Sequence, residues 1–146
     1  LAAHKEAAER LKGKIGWGYK RATSRARRNT PLTLAWKRGD TPLVDSGTTK
    51  KAFQRAETEV GTHGDFIIGK VTLKVPTAGI GGALGLRRKN KAFPYILSHI
   101  HGAGPGAMRV LGCGRSFTIP PRDPLTEGVT QGIQGAAITL ARAYQA

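Results

Sequence analysis

Two joints punctuated by proline and glycine set where the elements of this chain end and begin. They are Pro42-Leu43-Val44-Asp45-Ser46-Gly47 and Ile119-Pro120-Pro121-Arg122-Asp123-Pro124-Leu125. Proline fixes φ and lacks an N–H, while glycine accepts backbone conformations other residues avoid, so neither stretch can continue a helix or a sheet ladder. Asp45 and Asp123 lie beside turn-forming residues, where capping accounts for them without chemistry. The joints predict one domain over 1–146, with an N-terminal helix and extended basic arm over 1–44. An α+β core over 45–146 follows, carrying a loop insertion at 76–92.

Within that frame, residues 1–12 read as a short helix. Ala2, Ala3, Ala7, Ala8 and Leu11 are good helix formers, and Glu6 to Arg10 is a favourable i,i+4 pair. Gly13 is a plausible stop. From Gly13 to Leu43 no period holds, which predicts a long loop or arm with a basic run from Lys20 to Arg28. Trp17, Tyr19 and Trp36 read as anchors of that arm on its own core, in preference to platforms for nucleobases.

Asp45 or Ser46 is expected to cap a short helix at 48–54. Arg55 to Val60 and Phe66 to Val75 read as two strands joined by a Gly-containing turn at Thr62-His63-Gly64-Asp65. Lys70, Thr72 and Lys74 alternate there with Val71, Leu73 and Val75. Pro94 is expected to open a helix with Tyr95, Ile96 and Ile100 inward. Met108 to Ile119 reads as a further strand. In the last helix, Val129, Ile133, Ala136, Leu140 and Tyr144 share one face at helical spacing. Gly128, Gly132, Gly135 and Thr139 form an adjacent stripe. Three glycines in one stripe, each costing about 1 kcal/mol relative to alanine, imply that something approaches the backbone closely. The candidates are the sheet of the same chain and a neighbouring subunit.

The chain is strongly basic, with a formal charge of +15 from 24 Lys and Arg against nine Asp and Glu. Thirteen of the cations fall in the first 51 residues, and four more form the cluster Arg87, Arg88, Lys89 and Lys91. That imbalance points to a polyanion or an acidic neighbouring protein, with plain solubilisation as the bland alternative. Candidate contacts are Lys20, Arg21, Arg25, Arg27, Arg28 and the 87–91 cluster. The lone Cys113 cannot form an internal disulfide and suggests assembly in a reducing cytoplasm. No apolar run reaches bilayer length, so no membrane partner is expected. The absence of an initiator Met predicts further residues before Leu1, and the charged start lacks the apolar stretch of a signal peptide.

Catalytic and metal chemistry find little support. His99-x-His101, with His63 and Cys113, matches none of the zinc spacings, and the two ligands would point to different faces of a helix. Gly79-x-Gly81-Gly82-x-x-Gly85 lacks the Lys-Ser/Thr of a phosphate loop and is followed instead by Arg87-Arg88-Lys89. No nucleophile and base come paired. We therefore expect no enzyme, no metal and no cofactor.

Read in order, the motifs do resemble one family. Pro31 to Gly39 leads into the first joint, whose motif residues are Pro42, Asp45 and Gly47. Phe53, a glycine-broken hairpin, Tyr95 followed by His99 and Gly102, and finally Pro120 and Arg122 before the last helix complete the series. This order is similar to that of tailed-bacteriophage virion-morphogenesis proteins of the tail-completion and neck class. Thr48-Thr49 stands where that family usually has leucine, and Asp123-Pro124 replaces a proline-aromatic pair. The resemblance implies a small antiparallel sheet flanked by helices and a homo-oligomeric ring at the head–tail junction of a virion assembled in the host cytoplasm. Its implied partners are neighbouring neck, portal-adaptor or tail-tube proteins and packaged DNA in the channel. Gly128, Gly132 and Gly135 are the candidate subunit-packing positions. A basic nucleic-acid-binding module is the alternative.

Overall fold

One long helix organises the fold. In the computed structural model α1 runs from Ala2 to Arg25, 24 residues. The structure describes residues 1–26, 28–29, 31–36, 40–42, 47–74, 77–78, 93–94, 100–101 and 121–146. After α1 come α2 (Pro31–Trp36) and α3 (Thr48–Gln54). Strands β1 (Glu57–His63) and β2 (Phe66–Thr72) follow, then the short strands β3 (Thr77–Ala78) and β4 (Phe93–Pro94), and last α4 (Thr126–Gln145). The class is α+β, with helices at both termini around a two-stranded antiparallel sheet.

Helix α1 corrects the expected stop at Gly13 and much of the expected arm. Helix-compatible burial explains why it continues: Ala7, Ala8, Ile15, Gly18 and Tyr19 are buried along one side. Tertiary packing of that stripe outweighs the roughly 1 kcal/mol that each glycine costs. The predicted Glu6–Arg10 pair forms at 2.9 Å. Pro31 opens α2, where its missing N–H costs nothing, although the arm was expected to be irregular there.

The chain forms two compact units, Leu1–Lys74 with Pro124–Ala146, and Val75–Asp123, where one domain divided near residue 44 was expected. In the first unit α1 is the middle layer. On one side α4 lies antiparallel along it, with Arg21 meeting Glu127, Gly18 meeting Gly128, Leu11 meeting Gly132 and His4 meeting Tyr144. A Cβ on Gly18 would stand 2.7 Å from Gly128 Cα, and one on Gly128 would stand 2.7 Å from the Lys14 carbonyl oxygen. The glycine stripe is thus filled by α1 of the same chain. This corrects its assignment to subunit packing at Gly128 and Gly132; a Cβ at Gly135 would meet nothing within 4 Å.

On the other side of α1 sit α3 and the hairpin. Tyr19 stacks on Phe53 with ring centroids 4.4 Å apart, and Ala52, Phe53 and Ala56 complete a small core. Tyr19 therefore anchors this segment to the core, as expected. The N-cap of α3 is Gly47, left-handed at φ 77°, a turn that suits glycine, and the expected caps Asp45 and Ser46 lie outside the described residues. Leu125 occupies the N-cap position of α4, without a side-chain bond of its own, and Pro124 is fully buried.

The β1–β2 hairpin forms where expected, although β1 takes in Thr62 and His63, which read as part of the turn, and β2 ends at Thr72. Pairing runs from Glu57↔Thr72 to His63↔Phe66, with Gly64 at φ 60° in the two-residue loop. In the second unit, Thr77↔Pro94 and Ala78↔Phe93 pair antiparallel at the base of the 76–92 excursion. Pro94 therefore lies in a strand and does not open a helix, although Ile100 and His101 are helical. The strand expected at 108–119 and the side chain of Trp36 lie outside the described residues, as do Asp45, Tyr95, His99, Cys113 and Pro120.

Candidate interaction surface

Because α1 stays helical past Gly13, its cations fall into register. Arg10, Lys14, Trp17, Arg21 and Arg25 recur at spacings of four, three, four and four residues, which stacks them on one face. Lys14 Nζ lies 5.1 Å from the centroid of the Trp17 ring, and Arg21 Cζ lies 5.0 Å from it. Both distances are within cation–π range. Where α1 and α4 meet, Arg10, Gly13, Lys14, Trp17 and Gly135 line an open groove of about 390 Å³. Its floor is shaped by the two glycines, at neither of which would a Cβ meet anything within 4 Å. A second open groove of about 330 Å³ continues the seam past Glu6, Arg10, Thr139, Arg142 and Ala143.

The cations of this stripe differ in how far they are already committed. Arg10 is paired with Glu6 at 2.9 Å. Arg21 Nε stands 3.1 Å from Glu127 Oε1, an ion pair whose orientation falls short of a hydrogen bond. Lys14 and Arg25 have no carboxylate partner among the described residues. Of the basic residues singled out from sequence, Lys20, Arg25 and Arg28 are exposed. Arg27, Arg87, Arg88, Lys89 and Lys91 lie outside the described residues. Arg122 is half-buried and Pro42 half-exposed.

Besides Leu1 and Leu34, the large apolar side chains that stand in solvent among the described residues lie on the hairpin and on α4. Phe66 is 75% exposed and Ile68 48%, both on the hairpin face turned away from α1. The opposite face carries Gly69, whose Cβ position is 3.7 Å from the His4 carbonyl oxygen and 3.8 Å from Ala8 Cβ, so backbone and helix meet there. On α4, Ile133, Ile138 and Tyr144 are exposed as well, although Ile133 and Tyr144 belong to the apolar face expected to be buried. The glycine stripe took the inward position because it alone lets two helix backbones touch.

At the hairpin base, Lys74 donates to Glu57 at 2.6 Å. Thr58 Oγ1 donates to Glu9, and that hydrogen bond, helped by Lys12 and opposed by partial desolvation, holds the Glu9 carboxyl below its ordinary range. Among the described residues no three His, Cys, Asp or Glu side chains gather as metal ligands, and no helix is long and apolar enough to cross a membrane.

Sequence reasoning missed Arg10, Lys14, Asp65, Phe66 and Ile68 as surface features. The period of the α1 cations could have revealed the first two, had Gly13 not been read as a stop. Compared with models of known families, with curated proteins and with solved structures, the chain matches none.

Proposed function

We propose that this chain is a structural subunit of the head–tail junction of a tailed-phage virion, a neck or tail-completion component that assembles into a homo-oligomeric ring. The observation that carries the reading is the exposure of Phe66, Ile68, Ile133, Ile138 and Tyr144 beside the few buried apolar side chains among the described residues. Exposed apolar groups that share a face, as Phe66 and Ile68 do on the hairpin, mark protein contacts. The order of the two joints, the hairpin and the terminal helix along the sequence points the same way. In a ring, the basic face of α1 and the 87–91 cluster would meet packaged DNA or the acidic surfaces of adjacent rings, and portal-adaptor or tail-tube proteins would be the neighbours.

The cation stripe around Trp17 favours a second reading, a basic nucleic-acid-binding module. Phosphate neutralisation by Lys14, Arg21 and Arg25 would give it affinity that falls steeply with salt. Native mass spectrometry of the purified chain, with and without DNA, separates the two. A closed homo-oligomer formed without DNA supports the ring. A monomer that gains mass only with DNA, in a salt-dependent way, supports the module and overturns the ring.

A further inference from the structure

We propose that the hairpin tip of one copy, Asp65 and Phe66, seats in the α1/α4 groove of the next copy, with Phe66 against Trp17 and Asp65 beside Lys14. The inference rests on the ring reading and specifies its subunit contact. The two surfaces match in kind. The tip presents an exposed carboxylate next to an aromatic ring that is 75% exposed. The groove presents a floor of Gly13, Gly135 and Trp17 with a cation at its rim. Its volume of about 390 Å³ leaves room for a phenyl ring; an apolar cavity of roughly 150 Å³ already takes up benzene.

Charge narrows the choice of occupant. In a chain of net charge +15 copies repel one another, and a contact that sets a carboxylate against a cation offsets that repulsion. Glu6, Glu9, Glu57 and Glu127 are held by cations within the chain. Asp40, Glu59 and Asp65 are exposed and have no such partner among the described residues, and of these Asp65 alone stands beside an exposed aromatic ring, Phe66. In the groove, Arg10 is engaged by Glu6, leaving Lys14 as the rim cation to be neutralised. A phosphate backbone would satisfy Lys14 but leave the apolar floor uncovered.

Geometry makes the contact one between copies. The hairpin rests on α1 at His4 and Ala8. Arg10, two residues beyond Ala8, lies about 200° around the helix, so the groove opens on the far side of α1 from the hairpin. A tip cannot reach its own groove. The contact is therefore head-to-tail, which closes into a ring when the rotation between copies permits and otherwise extends into a filament.

The test is sedimentation and native mass spectrometry of the full chain and four variants: Asp65→Lys, Lys14→Glu, the double swap Asp65→Lys/Lys14→Glu, and Phe66→Ala. Each single variant is expected to weaken self-association by about tenfold or more, and the double swap to recover most of the loss. All should melt like the parent, since the three side chains project from the surface. Lys20→Glu, which makes the same charge change off the groove, should associate normally. If the parent assembles and the single variants assemble equally well, the tip–groove contact is wrong and the ring stands. A double swap no better than either single variant also overturns the contact. A parent that stays monomeric overturns both contact and ring.

Discussion

Where α1 crosses α4, the backbones touch through Gly18 and Gly128, and no side chain separates them. A methyl group on Gly128 would press on the Lys14 carbonyl oxygen at 2.7 Å and on Ile15 Cα at 3.0 Å, neither of which can swing away. We predict that Gly128→Ala destabilises the protein by about 1–3 kcal/mol despite alanine's better helix propensity. Gly13→Ala and Gly135→Ala, each pointing into open space, should stabilise it by about 0.5–1 kcal/mol. Urea denaturation of the three variants checks the contrast, and three equal effects would contradict it. Glu9 gives a second prediction at this scale. Its carboxyl titrates below the ordinary range when folded, chiefly through the Thr58 hydroxyl. Its contribution is therefore present above the unfolded-state value and is lost as pH falls through the folded one. Thr58→Ala should raise the Glu9 titration midpoint, followed by NMR, and lessen the acid-side loss of stability. An unchanged midpoint would remove the hydrogen bond as the cause. The glycine stripe was legible in the sequence as a site of close approach. Its partner was not, because most of the α1 residues that fill it, Lys14, Ile15 and Gly18, read as an irregular arm.

At the scale of elements, α4 and the β1–β2 hairpin were legible because each carries an uninterrupted period and a clear turn or joint. Helix α1 was half legible. Gly13, Gly16 and Gly18 look like breakers one by one, yet Gly18 lies where α4 arrives and Gly16 faces the Phe53 carbonyl oxygen at 3.9 Å. Propensity alone cannot report such neighbours. The small core that results hangs on few side chains, with Phe53 2% exposed beneath Tyr19. Phe53→Ala should cost about 3–5 kcal/mol, combining lost burial with a cavity that α3 cannot close. Chemical denaturation measures it, and a loss under 1 kcal/mol would show that the Tyr19–Phe53 stack does not hold α3 on α1. The apolar face of α4 was predicted inward and proved partly exposed, since a helix can direct only one stripe at its neighbour. The exposed remainder was invisible to periodicity, which reports amphipathicity and not which stripe wins.

For the whole molecule, charge and exposed apolar surface together explain why an isolated copy looks unfinished. In the proposed ring, a net charge of +15 would hold copies apart until carboxylate–cation contacts align them, and Phe66, Ile133, Ile138 and Tyr144 are the exposed apolar groups that such an alignment would bury. The groove that receives Phe66 exists only because α1 is continuous and Gly13 and Gly135 face each other's open space. That connects the residue-scale packing to assembly. The joints that frame the chain set the order of its elements; the contacts proposed between copies come from the helix and hairpin they bracket. The most direct measurement is electron microscopy of phage particles carrying a labelled form of this chain, with averaging around the particle axis. The account predicts label confined to the head–tail junction and arranged in a ring. Label spread through the DNA-filled head, or missing from finished particles, would contradict it.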